Sequence, residues 1–291
     1  MKRILIFGSD TQGEYLSDVV KFFNALRHMQ LDICVESRFA DYLRAEHIDL
    51  EEMSIVDTLP ENTDLIISMG GDGTYLRAAM LAGRSEVPVV GINTGHLGYL
   101  TGFTLADPQQ IFDAIDGKFH VSPRMLLYVD CEYIPEDFHP YGLNEISISK
   151  GDTTSMVSIR AYVDGQFLAD YRADGLIVAT PTGSTAYNLS CGGPILQPTL
   201  RAITLTPIAP HSLTLRPLVV SADSELRLEV SSRGEECHVG VDGRTFAVPS
   251  DGTTLIVRRA GFVANVAQPT DANFSEVLRR KLRWAELPAT H

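Results

Sequence analysis

The sequence predicts two architectures in one chain: a parallel α/β domain, then a mostly antiparallel β domain. Three observations carry this. Over the first ~120 residues, short apolar runs alternate with helix-like segments, the rhythm of a parallel sheet covered by helices. From about Ser122 strand-like runs follow one another closely, and Asp164-Gly165 and Asp242-Gly243 supply hairpin turns between them. At the end, Asn273 caps a segment with Glu276 three residues later and Phe274, Val277, Leu278 and Leu282 on one face. The expected organisation is a Rossmann-like α/β domain over residues 1–121, joined by a returning C-terminal helix in 270–291, and a β-rich domain over 122–269.

In order, Ile4–Phe7 reads as a strand and Glu14 to about Met29 as a helix burying Val19, Phe22, Phe23 and Leu26. Leu65–Met69 and Val87–Ile92 are further strands. Asp107-Pro108 opens a helix, with Asp as cap and Pro at the first position, and Ile111, Phe112 and Ile115 form its buried stripe. The β-rich part is read as Leu126–Tyr133, Ile146–Ser149, Val157–Val163, Phe167–Tyr171, Leu176–Ala179, Leu226–Val230, His238–Val241 and Leu255–Val257.

Composition narrows the function. The 291 residues are 44% hydrophobic and 21% charged, which describes an ordinary globular protein with a full core. A formal charge of −13 argues against a general nucleic-acid binder, since that needs a basic face. No apolar run reaches membrane-spanning length, and the opening strand is too short for a signal-peptide core. Cys34, Cys131, Cys191 and Cys237 are scattered with no CxxC pair, so a reducing cytoplasm fits better than a disulfide or zinc framework.

The chemistry concentrates in a few stretches. Met69-Gly70-Gly71-Asp72-Gly73-Thr74 ends an apolar strand in three glycines around one aspartate and runs into a helix. Glycines admit close backbone approach and a helix N-terminus favours anions, so the carboxylate reads either as a base or metal partner at a phosphate site or as a plain N-cap. Asn93-Thr94-Gly95-His96-Leu97-Gly98-Tyr99-Leu100 follows another strand, so two glycine-rich loops would face one crevice at the ligand-binding edge of the sheet. His96 reads as a base or as a hydrogen-bonded structural histidine. Gly8-Ser9-Asp10-Thr11-Gln12-Gly13 follows the first strand, but Asp10 replaces the middle glycine of a dinucleotide fingerprint, and a plain turn is the better reading. Asp174 through Pro194 is a buried strand leading into small hydroxyl residues, Tyr187 and the Gly192-Gly193 pair, a loop rich in donors and poor in bulk. Asn144-Glu145 is an amide–carboxylate pair able to bracket a ribose diol, or a turn.

Together these motifs resemble the NAD kinase family. The matching order is Gly70-Gly71-Asp72-Gly73-Thr74, Asn93 to Tyr99, Asn144-Glu145, Asp174 to Pro194, Pro207 to Leu213, and Arg216-Pro217-Leu218-Val219, within residues 64 to 284. The glycine–aspartate turn alone is shared with diacylglycerol, sphingosine and 6-phosphofructo-kinases; the run from Thr180 to Pro194 is more specific. The resemblance implies an enzyme that phosphorylates the adenosine 2′-hydroxyl of NAD with ATP and a divalent cation, Mg²⁺, whose ligands it does not specify. It implies Asp72 as general base, with Gly71, Gly73 and Arg77 in the nucleotide site. It implies Asn144, Glu145, Arg172, Asp174, Thr185, Ala186, Tyr187, Asn188, Leu189 and Ser190 as substrate contacts. Arg172 stands where the family varies between a basic residue and glycine, and the basic version accompanies preference for NAD over NADH and ATP over polyphosphate. Ser155 and Arg244 depart from the histidine and glutamine of some relatives. The resemblance further implies a homodimer or homotetramer, and the cysteine usage, charge and apolar-run lengths above lead us to expect a cytoplasmic protein with no nucleic-acid or membrane partner. A lipid kinase of the diacylglycerol type and a non-catalytic dinucleotide sensor are the alternatives on the same turn.

Overall fold

The computed structural model describes residues 1–10, 13–95, 98–151 and 155–282. Thr11, Gln12 and His96, each part of a motif above, lie outside the described residues. The chain divides into two compact units, Met1–Pro123 with Ala264 onward, and Arg124–Val263.

The first unit contains strands β1 (Lys2–Gly8), β2 (Leu31–Glu36), β3 (Ser54–Val56), β4 (Leu65–Met69), β5 (Val89–Asn93) and β6 (Phe103–Thr104). Its helices are α1 (Leu16–Leu26), α2 (Ser37–Ala45), α3 (Asp72–Ala82) and α4 (Pro108–Ile115). All these strand pairings are parallel: β5 beside β4, β4 beside β1, β1 beside β2, β2 beside β3, with β6 on the far side of β5. β4 and β5 are buried at every residue, as central parallel strands must be, and this explains their unbroken apolar runs. After Ala264 the chain adds one more parallel pairing, Val266 and Ala267 against Val89 and Val90.

Differences from the sequence reading are local. The first helix begins at Leu16 after a 3₁₀ turn at Gly13–Tyr15, and it still buries Val19, Phe22, Phe23 and Leu26. β2 and α2 were not anticipated. β2 begins with Leu31-Asp32 and reads weakly as a strand, yet it is bonded along β1. α2 is capped by the Glu36 side chain, which accepts from the Phe39 N–H at 2.9 Å, an unusual cap with no Ser, Thr or Asp signature. At α4, Asp107 caps through the Gln110 N–H at 3.4 Å and Pro108 opens the helix, as expected.

The second unit contains β7 (His120–Asp130, from Arg124), β8 (Tyr141–Gly142), β9 (Glu145–Lys150), β10 (Val157–Val163), β11 (Gln166–Ala173), β12 (Gly175–Ala179), β13 (Ala202–Ile208), β14 (Leu218–Ser221), β15 (Leu226–Val241) and β16 (Arg244–Gln268, to Val263). A four-residue helix, α5 (Tyr187–Ser190), lies between β12 and β13. The main order is β14-β13-β12-β9-β15-β16, antiparallel throughout, and β10 pairs with β11 and with the first half of β15. Both hairpin turns form as the sequence predicts. Asp164 and Gly165 have φ of +50° and +78°, and Asp242 and Gly243 have +47° and +80°, the pattern of a type I′ turn. The separate runs Leu226–Val230 and His238–Val241 are one strand, and Leu255–Val257 belongs to the 25-residue β16.

The last described element is α6 (Phe274–Leu282), grouped with the first unit. Asn273 caps it through the Ser275 N–H at 2.9 Å. Phe274, Val277 and Leu278 are half-buried, but Leu282 is exposed, because the apolar stripe drifts out of contact by the last turn. No described helix is long and apolar enough to cross a membrane.

Gly8 would place a Cβ inside the ring of Phe39, so the end of β1 and α2 are in close contact there. Phe39→Ala is therefore expected to destabilise the first unit by about 3–5 kcal/mol, read as a lowered urea midpoint.

Candidate active site

The first site is built at the C-terminal ends of β4 and β5. Gly70 has φ +153°, and a Cβ there would lie 2.5 Å from the Thr74 hydroxyl, so only glycine fits this exit from β4. Its N–H donates to the Ile92 carbonyl at 2.9 Å and ties the turn to the end of β5. Gly71 is the N-cap of α3, its carbonyl accepting from the Thr74 and Tyr75 N–H groups. The N-cap reading of Asp72 is therefore replaced. Asp72 is the first helical residue, and its carboxylate turns to the second glycine-rich loop: Oδ2 accepts the Tyr99 N–H at 2.8 Å and Oδ1 the Leu100 N–H at 3.1 Å.

Glycine has two different uses here. A Cβ at Gly98 would fall onto Asp72 Oδ1 and Thr101 Oγ1, so Gly98 is what lets the loop reach the carboxylate. At Gly71 and Gly73 a Cβ would meet nothing within 4 Å, so no neighbour of the described protein requires glycine there. The space they leave open fronts the N-terminus of an eleven-residue helix, where backbone N–H groups favour anions. Arg77 is exposed and lies over the Phe7 ring, 5.3 Å from its centroid. The Tyr99 phenol is pushed up by burial and then by the Asp72 charge.

The second site is in the β-rich unit, around the start of β9. Ala179, the last residue of β12, pairs with Glu145, the first of β9, so the loop leaving β12 runs beside Asn144. The Thr180 N–H donates to the Asn144 carbonyl at 2.8 Å, and the Thr180 hydroxyl donates to Leu143 O while accepting from Gly183 N–H. Opposite, the Asp242 carboxylate accepts the N–H groups of Leu143, Asn144 and Glu145 at 2.6, 2.8 and 3.1 Å. The hairpin turn is thus also the clamp that shapes the Asn144-Glu145 backbone. Burial raises the Asp242 carboxyl against these three bonds.

Glu145 is held with Oε2 buried and without a hydrogen-bond partner among the described residues. Burial first, and the neighbouring Asp242 second, push its carboxyl from 4.5 up to about 8. Tyr187 is 44% exposed at the start of α5. Its phenol is raised by burial first, then by Cys191, and by the Asp174 and Glu145 charges, which reach it. Asp174 pairs with Lys150 at 2.7 Å, a partner the sequence reading missed.

Within the loop, Thr185, Ala186 and Leu189 are half-buried and Ser190 is exposed. Asn188 is fully buried: its amide donates to Ser184 O and Pro194 O and accepts from the Thr206 hydroxyl, so it closes the loop from inside. Arg172 is exposed on β11 and lines a cavity of about 570 Å³ with Ser155, Met156, Ser158, Ser231 and Arg233. Arg244 sits against Phe138 and donates to the His139 and Tyr141 carbonyls, away from that cavity's lining.

Gly71, Asp72, Gly73 and Arg77 belong to the first unit, and the residues named as substrate contacts, from Asn144 to Ser190, belong to the second. Tyr99, Lys150, Thr180, Arg233 and Asp242 were not singled out as site residues. Tyr99 and Thr180 lay inside motifs without being marked in them, and Asp242 carried its Asp-Gly turn, which says nothing of a carboxylate reaching the start of another strand.

Two family models match the chain. ATP-NAD kinase N-terminal domain covers residues 19–120, and ATP-NAD kinase C-terminal domain covers 143–268. The chain is 42% identical over 289 residues to an NAD kinase of Porphyromonas gingivalis strain W83, covering 98% of each. It is 36% identical over 288 residues to one from Geobacter metallireducens, covering 98% of this chain and all of that one. Among solved structures, yeast NADH kinase complexed with NADH superposes with a TM-score of 0.87 at 26% identity, covering 100% of this chain and 90% of that one. An NAD kinase from Archaeoglobus fulgidus in complex with ATP gives 0.70 at 26% identity, covering 97% and 98%.

Because Glu145 holds its proton in the fold to about pH 8 but releases it near 4.5 when unfolded, the unfolded state binds fewer protons between those values. Stability should accordingly fall as pH rises through that window. Glu145→Gln should remove this loss, gaining on the order of a few kcal/mol over the parent at pH 8 and little at pH 4, measured by denaturant unfolding without nucleotides.

Proposed function

The chain belongs to the NAD kinase family, and we propose that it transfers the γ-phosphoryl group of ATP to the 2′-hydroxyl of the adenosine ribose of NAD, forming NADP, with Asp72 as general base. The observation that carries the assignment to Asp72 is its geometry: a carboxylate at a helix N-terminus, both oxygens fixed by backbone N–H groups of the second glycine-rich loop, beside two glycines with open space. Each oxygen accepts one such bond and keeps further lone-pair capacity, so the carboxylate can receive a hydroxyl proton without losing its orientation. A ribose hydroxyl is a weak nucleophile. Its proton passes to the Asp72 carboxylate as the oxygen–phosphorus bond forms, and the bond to the ADP leaving oxygen breaks. The space at Gly71 and Gly73, in front of the α3 N–H groups, suits the donor phosphates, and Arg77 adds a cation one turn on.

Phosphoryl transfer depends on positioning and charge neutralisation, and a divalent cation such as Mg²⁺ supplies much of the latter when bound with ATP. Among the described residues no three His, Cys, Asp or Glu side chains converge. Asp72 is the carboxylate available at the open turn, so the residues fit a cation held mainly by phosphate oxygens.

Asn144, Glu145, Asp174 and the run Thr185, Ala186, Tyr187, Leu189 and Ser190 are assigned to NAD. Glu145, protonated near neutral pH, offers both a donor and an acceptor to a sugar or purine edge, and it adds no charge against the pyrophosphate. Tyr187 offers an exposed aromatic face. Asn188 contributes by holding the loop's shape. Arg172 supports preference for NAD over NADH and for ATP over polyphosphate, and we assign a cytoplasmic homodimer or homotetramer.

Incubation with NAD, ATP and Mg²⁺, read by an NADP-specific dehydrogenase, tests the reaction. Asp72→Asn should lower kcat by about 10²–10⁴-fold with NAD affinity nearly unchanged. Turnover surviving that substitution would remove Asp72 as the base. Arg172→Gly should raise the rate on NADH relative to NAD, and a parent enzyme already equal on both would refute the preference.

A further inference from the structure

We propose that Lys281, on the C-terminal helix, is a positioning residue for phosphoryl transfer, acting on Asp72 through Tyr99. The proposal rests on the reading of Asp72 as the base. Tyr99 has two attachments: its backbone N–H donates to Asp72 Oδ2 at 2.8 Å, and its ring carries the Lys281 ammonium 4.6 Å from the centroid. Its hydroxyl is buried with no hydrogen-bond partner among the described residues, so none of them anchors the phenol end of the side chain that way. The cation over the ring is therefore the polar contact that fixes the side chain, and with it the peptide that orients the carboxylate.

The surroundings make that brace consequential. Behind the loop is a cavity of about 240 Å³, lined by Tyr99, Thr101, Gln110, Asn273, Glu276 and Arg280 among others, so the loop is not close-packed on that side. Thr101 is 1% exposed and its hydroxyl also has no partner among the described residues. Further along, a Cβ at Gly102 would lie 3.0 Å from Pro269 Cδ, so the loop touches the chain entering α6 there. α6 has no fully buried residue, and it docks through half-buried Phe274, Val277 and Leu278 together with Lys281. A shift of the loop is passed to Asp72 directly, because the Tyr99 and Leu100 N–H groups are what hold its two oxygens.

The test is steady-state kinetics of the full chain with NAD, ATP and Mg²⁺. Lys281→Met keeps the apolar stem and removes the charge; Lys281→Arg keeps the charge. Lys281→Met should lower kcat about tenfold while the KM for NAD and for ATP stays within about twofold, and Lys281→Arg should recover most of the loss. In a Tyr99→Leu background Lys281→Met should have no further effect, since the contact is already gone. An unchanged kcat, a loss carried in KM, no recovery by Arg, or an equal loss in the Tyr99→Leu background would each overturn the proposal. Asp72→Asn is assayed alongside. If that variant is inactive and Lys281→Met is normal, the positioning role alone fails; if Asp72→Asn turns over normally, the base assignment fails first.

Discussion

The constraint on which the first site depends is the parallel pairing of β4 with β5. It sets the ends of two strands side by side, so that two glycine-rich loops leave the sheet at one point. Gly70 donates to Ile92, and Asp72 receives Tyr99 and Leu100, so the loops are stitched together at the carboxylate itself. A carboxylate free in solvent samples several rotamers. One with both oxygens bonded to backbone donors does not, and such preorganisation matters most where chemistry is a matter of placing a base against a hydroxyl.

The second unit solves a different problem, the holding of acidic groups in a dry place. Asp242 is accommodated by three backbone N–H groups, which replace the water it loses. Among the described residues nothing compensates Glu145 Oε2 in this way, and the neighbouring Asp242 charge adds to the cost of ionising it. The result is a carboxyl kept neutral near physiological pH. Unsatisfied groups of this kind are uncommon in native proteins and concentrate where a ligand completes them.

The sequence was most legible where side chains alone decide the structure. Unbroken apolar runs gave β4 and β5, and Asp107-Pro108 and the two Asp-Gly pairs gave a helix start and two hairpins. It was least legible where backbone bonding carries an element through polar residues. β15 continues through Ser231 and Ser232, which pair with Ser158 and Val157 of β10 where the register with β16 shifts, because ladder pairing does not depend on what the side chains are. β2 and α2 were missed for a related reason: neighbour pairing and a glutamate cap compensate for weak local signals.

What the sequence determined by itself was the order of the chemistry: a glycine–aspartate turn, a second glycine loop, an amide–carboxylate pair and a loop of small hydroxyl residues. These are local patterns, and spacing along the chain is enough to display them. Only the tertiary structure decided what each carboxylate does. Asp72 turned out to face Tyr99 and Leu100 rather than its own helix, Asp242 to grip the start of β9, and Glu145 to be buried with its proton kept. Each outcome depends on a group tens of residues distant in the chain. A carboxylate's orientation and protonation are set by what surrounds it in space, and sequence position carries no record of that.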